Sequence, residues 1–462
     1  MQGSTSGSAG PSGERGGEPK GLAGLGDDRA WMWYGKTVSQ KLQAPRGTRD
    51  FYPEQMRIRE WLFGHFREVA RSFGFEEIDA PVVEHEELFV RKAGEEIVEQ
   101  LYNFELHGRR LALRPEMTPS MARMVMARAG GLRLPLRWFT INQNWRYERM
   151  SRGRKREHYQ WNMDIWGEPG ITAEAELIAA VFALLDRLGL APSEARIRIS
   201  SRALLEESLQ SSVLAERPGV FPALCVAIDK LDKIGGDAVA ELLSDPKGTI
   251  RLDPLAAKDV VAWLRLSDLD AAASGLPGDS AALAEMRRLF ELLALYGVAD
   301  RVDFDCSITR GLAYYTGIVF EAFDADRSLR SLCGGGRYDH LLDSLGGPSI
   351  PAVGFGFGDV VILELLQDLG KRPEPGRGLD AVVFAFGESE RPAAIRLARQ
   401  LRADGQSVEL SLSGGKLKRA LADADKAGAG KIYLLGPDEV ARNEALVRDL
   451  ASGEQSTLPL HD

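Results

Sequence analysis

The segment from Leu136 to Gly167 constrains the fold more than any other. "LRWFTINQNWRYE" alternates like a strand, and "HYQWNMDIWG" reads as its antiparallel return. Between them Arg146, Arg149, Arg152, Arg154, Lys155 and Arg156 crowd into a predicted hairpin loop. Gln160 and Asp164 share one face of the second strand, with Asn162 between them. Trp161, Met163 and Ile165 take the other face, which is apolar and predicted as core. Buried polar groups need partners, so a strand face carrying Gln, Asn and Asp is expected to line a pocket. An arginine-rich loop beside such a pocket suits polyphosphate or a nucleic-acid backbone, because guanidinium pairs with phosphate as a planar fork. Charge alone leaves a solvated hairpin equally open.

Two glycine tracts follow further along. "CGGGRYD" places Gly334, Gly335 and Gly336 before Arg337 and Tyr338, a pattern suited to close backbone approach or a tight turn. "GFGFGD" leaves Gly354, Gly356 and Gly358 on one face of a strand, with room for a flat ligand. The spacing is not that of a dinucleotide fingerprint. "LRPEMT" puts Arg114, Glu116 and Thr118 at alternating positions and reads as a half-exposed strand end. In "TRGLAYYTGIVFEAF", Arg310 precedes Gly311, and Tyr314 and Tyr315 read singly as aromatic packing on a strand.

The rest of the chain gives the organisation. Met56, Leu62, Phe63, Phe66, Val69, Ala70 and Phe73 recur at helical spacing, with Gly74 as the stop. From about 200 to 300, Leu, Ala and Asp dominate, and the pattern is mostly helical, as an insertion. Strand patterns on both sides suggest one α+β domain interrupted by a second. After "LGKRPEPGRG", a linker, strand and helix patterns alternate as in a small α/β domain with parallel strands. The expected units are a Gly/Ser-rich extension over 1–44 that cannot order itself, a domain over 45–370 and a terminal domain over 378–462.

Composition removes some classes. A net charge of -9 argues against a nucleic-acid coat protein but leaves room for a local basic site. Cys225, Cys306 and Cys333 are far apart and form no CxxC pair, so no structural metal is expected and a cytoplasmic location fits. No run of about eighteen apolar residues exists, so no membrane span is expected.

"PRGTRDFYPEQ", "RPEMT", the "RYE…GRKREHYQ…D" block, "RGLAYYTGIVFEAF" and "GGGRYD" occur in one order and with separations that resemble the histidyl-tRNA synthetase family of class II aminoacyl-tRNA synthetases. The resemblance runs from about Pro45 to the C-terminus. It implies an α+β fold: an antiparallel-sheet catalytic domain with a helical insertion, and a C-terminal α/β anticodon-binding domain. It implies ligation of L-histidine to tRNA(His) through histidyl-adenylate, with ATP as substrate, Mg2+ alongside it and a homodimer built on the helix from Gln55 to Phe73 and the strand that follows through Pro81.

It also implies roles at matching positions. Arg146 would hold the α-phosphate and the substrate carboxylate, with Arg310 on the opposite side of that phosphate. Glu148 would meet the adenine edge. Glu116, Thr118 and Gln160 would surround the histidine α-amino group, and Asp164 and Tyr315 would read the imidazole, with Tyr314 beside them. Three positions depart from the pattern. Val361 stands where the class carries an arginine on the γ-phosphate, His158 where a phenylalanine lies against adenine, and Ala313 where many members carry Asp. Arg154 is a candidate for the missing cation. Two rivals are a synthetase-like regulatory subunit of ATP phosphoribosyltransferase and a class II synthetase for another amino acid. The retained C-terminal domain argues against the first, and "RGLAYYTG" against the second.

Overall fold

The helix Pro53–Ser72 opens with proline in its first turn and Glu54 beside it, both suited to a helix N-terminus. It ends where Gly74 takes φ 76°. The computed structural model describes residues 42–90, 98–210, 212–309 and 314–460. The expected extension over 1–44 therefore lies almost wholly outside the described residues.

The strands fall into three sheets. β1 (Glu76–Glu77) is a short edge piece. β2 (Val83–His85), β3 (Asn103–Leu106) and β4 (Arg109–Leu113) form a small antiparallel sheet in the order β2-β4-β3. β5 (Leu136–Trp145) and β6 (Glu157–Trp166) make the long hairpin expected from sequence. β7 (Ala195–Ser201), β8 (Val302–Phe304), β9 (Ile318–Asp324), β10 (Cys333–Arg337) and β11 (Ala352–Gly358) complete an eight-stranded sheet. Its order is β1-β5-β6-β11-β10-β9-β7-β8. All pairs are antiparallel except β1 with β5 and β7 with β8.

Period-two alternation decides which face is core. Trp161, Met163 and Ile165 of β6 and Phe355 and Phe357 of β11 are buried against the helices Pro53–Ser72 and Thr172–Arg187. Phe66 stacks on Trp161 at 5.1 Å. Truncating so packed an aromatic costs about 3–5 kcal/mol. The apolar positions Leu62, Phe63, Phe66, Val69 and Ala70 are thus used in the chain's own core.

Between β7 and β8 the chain is helical, as expected. Its first part has a core of its own around Leu224, Val239 and Val260. Its last helix, Ala281–Leu295, instead packs Met286, Leu289 and Leu293 into the main core. The final sheet contains β12 (Leu379–Ala385), β13 (Val408–Leu410), β14 (Ala429–Leu435), β15 (Glu444–Asp449) and β16 (Gln455–Pro459), in the order β13-β12-β14-β15-β16. β12, β13 and β14 are parallel, as the alternation of strand and helix predicts. β15 and β16 add antiparallel strands that the parallel expectation missed.

Candidate functional site

The polar face of the hairpin is the starting point. Thr140, Asn142 and Asn144 of β5 pair across to Asn162, Gln160 and His158 of β6, so their side chains share one face. Asn142 Nδ2 donates to Asn162 Oδ1 at 2.9 Å, and Asn144 Nδ2 to Gln160 Oε1 at 3.2 Å. The side-chain oxygens of Thr140, Asn142 and Asn144 have no described partner although buried. Such orphans mark a face built for a polar occupant.

The glycines supply the space. Gly354 pairs with Asp164 and Gly356 with Asn162. A Cβ at Gly354 would collide with Asp164 and come within 2.6 Å of the Tyr338 hydroxyl. A Cβ at Gly356 would strike Gln160. These two positions are glycine because side chains from β6 lie across them.

Asp164 is 1 % exposed. The Tyr338 hydroxyl donates to its Oδ1, and Oδ2 has no partner. Burial raises the Asp164 carboxyl to about 7, against the pull of the tyrosine bond. Tyr314 donates to Glu116 Oε2 at 2.9 Å, and Thr118 also meets the Tyr314 hydroxyl. Burial, then the Glu116 charge, hold the Tyr314 phenol well above its usual range. Tyr314, Tyr315 and Tyr338 form a cluster with ring centroids 5.1–6.2 Å apart. Tyr314 and Tyr315 precede β9 rather than lying on it. Arg202 grips the flanks of this segment, donating to Thr309 O at 2.9 Å and Tyr315 O at 3.1 Å. Arg310 lies outside the described residues, as does Ala313.

"LRPEMT" departs from expectation. β4 ends at Leu113, and Arg114, Glu116 and Thr118 are all buried rather than half-exposed. Arg114 is structural: it donates to Ala80 O at 2.7 Å and Gln143 O at 3.0 Å. Arg146 Nε donates to Pro115 O at 2.9 Å and so ties the start of the basic loop to this segment.

Arg146, Glu148, Arg154, His158 and Gln160 line one cavity of about 210 Å³, together with Gly356 and Gly358. Arg154 is ion-paired to Glu148. His158 is pushed down to about 3, first by burial and then by Arg146, Arg49 and Arg154, so its ring is neutral. Arg49 anchors this end of the sheet, reaching Glu157 at 2.6 Å and Asp359 at 3.0 Å. Not every loop cation faces the cavity. Arg152 pairs with Asp368 at 2.5 Å and Glu364 at 3.2 Å on the helix Asp359–Asp368. Arg156 lies 3.7 Å over the Tyr147 ring. A larger, open depression of about 960 Å³ near Asp303 and Asp305 includes none of the candidate residues.

A family model described as histidyl-tRNA synthetase matches residues 47–358, and one described as anticodon binding domain matches residues 380–462. The chain is 46% identical over 419 residues to the histidine–tRNA ligase, chloroplastic/mitochondrial, of Arabidopsis thaliana, covering 90% of this chain and 85% of that one. The chain belongs to the histidyl-tRNA synthetase family.

A second family member, the histidine–tRNA ligase of Opitutus terrae, is 40% identical over 423 residues, covering 90% of this chain and 96% of its own length. The crystal structure of the histidyl-tRNA synthetase from Nostoc sp. superposes with TM-score 0.72 at 24% identity, covering 91% of this chain and 97% of that one, a likeness of fold. A Bacillus halodurans structure described as ATP phosphoribosyltransferase regulatory subunit/histidyl-tRNA synthetase gives TM-score 0.69 at 26% identity, covering 86% and 99%.

Two residues of the site escaped the sequence reading. Tyr338 follows the glycine tract in "GGGRYD" with no role of its own there, yet its hydroxyl is the group that meets Asp164. The signal was parity. Gly334 pairs with Gly356 and Gly336 with Gly354, so the even positions of this strand face the site. Arg337, at odd parity, turns away and pairs with Glu174 at 2.5 and 2.7 Å. The second is Arg330, which lines the cation cavity from the turn before β10. No motif carries it, and only the fold brings it there.

Proposed function

We propose that this aminoacyl-tRNA synthetase condenses L-histidine with ATP to histidyl-adenylate, releasing pyrophosphate, and transfers the histidyl group to tRNA(His). The observation that carries the reading is one polar face of β6 with two unlike ends on either side of Gln160: the buried Asp164–Tyr338 pair, and an open cavity of arginines. The first fits a small polar ring. The second fits a polyphosphate.

In the first step a carboxylate oxygen of histidine attacks the α-phosphorus. The new O–P bond forms as the bond to pyrophosphate breaks. Such a step is catalysed by positioning and charge neutralisation. Arg146 spends its Nε on Pro115, which holds its terminal nitrogens toward the cavity as a fork for the α-phosphate. Arg310 is assigned to the opposite side of that phosphate. Glu148 and the neutral His158 take the adenine, and Arg154 the outer phosphates. Glu116, Thr118, Gln160 and Tyr314 surround the α-amino group, which needs acceptors. Asp164 receives the imidazole N–H through its unused oxygen, with Tyr315 and Tyr338 packed around the ring. Mg2+ enters with the ATP phosphates as part of the substrate.

The terminal domain, from about 378, is assigned to the tRNA. A protein ending near Gly370 should keep histidine-dependent pyrophosphate exchange and charge tRNA poorly, because a second linked contact raises effective concentration at the acceptor end. Absence of such exchange from the intact protein would overturn the synthetase reading in favour of the regulatory subunit.

The homodimer is assigned to the strand after Pro81 and the small sheet it joins, since the apolar positions of the helix Pro53–Ser72 are buried in the chain's own core. Val83, Phe104 and Leu106 are exposed on one side of the small sheet, around Leu111 and Leu113, while Ala112 points into the protein. A second copy would cover this apolar side. Sedimentation as a monomer at micromolar concentration would overturn the assignment. No described helix is long and apolar enough to cross a membrane. The proposed location is the cytoplasm, in keeping with three free, buried cysteines. A tagged full chain found in an organelle would overturn that location.

A further inference from the structure

Two loops rise at the same end of the eight-stranded sheet and flank the end of β11. One is the basic loop before β6; the other is the turn before β10, which carries Arg330. Arg330 shares the cavity with Arg146, Arg154 and Lys155. The cations differ in how far the protein commits them. Arg146 is anchored on Pro115 O, and Arg154 is paired with Glu148. Arg330 has no hydrogen bond or ion pair among the described residues, and its charged surroundings include Arg154 and Arg146 as well as Glu148 and Glu321.

The residue is open to solvent, yet its guanidinium end is crowded by protein. That crowding lowers its pKa, and the two arginines lower it further. Like charges held around one cavity repel until an anion joins them. The wall between the loops offers no competing cation: Val360 and Val361 are both buried and apolar.

We infer that Arg330 binds the terminal phosphates of ATP, and the pyrophosphate that leaves, from the side of β11 opposite Arg154. This rests on the cavity being the ATP site. The position gives the β- and γ-phosphates a guanidinium from a loop outside the sequence motifs. It also gives the departing pyrophosphate a cation at the cavity mouth, where its negative charge develops.

The test is pyrophosphate exchange with purified full-length protein. Arg330→Ala should raise the KM for ATP and for pyrophosphate about ten- to hundredfold, the loss of one charge-assisted contact. The histidine KM and inhibition by AMP, which lacks the outer phosphates, should stay within about twofold. Arg330→Lys should recover part of the loss, since charge remains and the fork does not. Equal weakening of ATP and AMP would overturn the inference. So would an unchanged ATP KM in Arg330→Ala while Arg146→Ala and Glu148→Gln raise theirs; the cavity would then remain the ATP site. If none of the three variants raises the ATP KM, the ATP reading of the cavity falls with it.

Discussion

The two ends of the polar face of β6 solve opposite problems. At one end Asp164 is buried, shares one oxygen with Tyr338 and keeps the other unpaired. At the other end Arg330 and Arg154 stand in an open, cationic cavity. A site that must reject other amino acids gains from dryness, because a wrong ligand leaves buried groups without partners. A site that must take up ATP and release pyrophosphate needs charge, but charge that water can still reach. On the proposed assignment, the difference teaches that burial is spent where choice is made, and exposed cations where a product must leave.

The strongest way to break the comparison is to remove an arginine assigned to the α-phosphate. Arg146→Ala should lower the exchange rate by about 10²–10³, the usual loss for one preorganised donor at developing charge. Arg310→Ala should do the same, with normal folding by circular dichroism. Near wild-type exchange in either would remove that residue from the phosphate. Next comes the dry end. Asp164→Ala should raise the histidine KM about ten- to several hundredfold, from losing a charged acceptor in a buried place, and leave the ATP KM nearly unchanged. Gly354→Ala should act on the same parameter, because its Cβ needs the space of Asp164 and Tyr338. Equal changes in both KM values would make Asp164 a structural residue.

What the sequence could reveal follows the same division. The hairpin, its apolar face and its polar face were legible, because strand alternation is local and the basic loop interrupts it cleanly. Gly354 and Gly356 were legible as a gap, though not what fills it. Tyr338 required the pairing of β10 with β11, which sets parity across strands distant in sequence. Arg330 required more: two loops brought to one sheet end by the order β6-β11-β10-β9. Arg152 looked like its neighbours in sequence, and only the helix Asp359–Asp368 underneath gives it protein partners instead. β15 and β16 were missed because the preceding strand–helix repeats imply parallel pairing, and a final antiparallel pair leaves no mark on that pattern.

A smaller effect comes from pH, and it should separate the two ends. Burial raises the Asp164 carboxyl to about 7, so below that pH it is protonated and a poorer acceptor for an imidazole N–H. The histidine KM should fall as pH rises from 6 to 8, by up to about tenfold per unit below the midpoint. Free histidine titrates near the same pH, so Asp164→Asn is the control: its remaining slope is the ring's own. An unchanged slope in Asp164→Asn would show that the carboxylate does not read the ring. The ATP KM should change far less over this range, because His158, pushed down to about 3, stays neutral across it. The raised Asp164 value also couples folding stability to pH. Between the ordinary carboxylate pKa and about 7 the folded form holds a proton that the unfolded chain has released, so this group's contribution to stability falls as pH rises through that window.

The smallest effect tests the edge of the phosphate end. Arg152 sits among the loop cations in sequence, yet its guanidinium lies against Asp368 and Glu364, both on the surface. Exposed pairs of this kind contribute little, since water and salt compete for each partner. Arg152→Ala should therefore change the melting temperature slightly and exchange by less than about threefold at moderate salt. The loop is held independently of Arg152: Arg146 N donates to Arg156 O at 2.9 Å, and Arg156 N to Gly47 O at 2.9 Å. A large loss of exchange in Arg152→Ala, with the ATP KM raised as in Arg330→Ala, would mean that the loop turns Arg152 inward when ATP binds. The division between cations committed to the protein and cations kept for the ligand would then fail at Arg152.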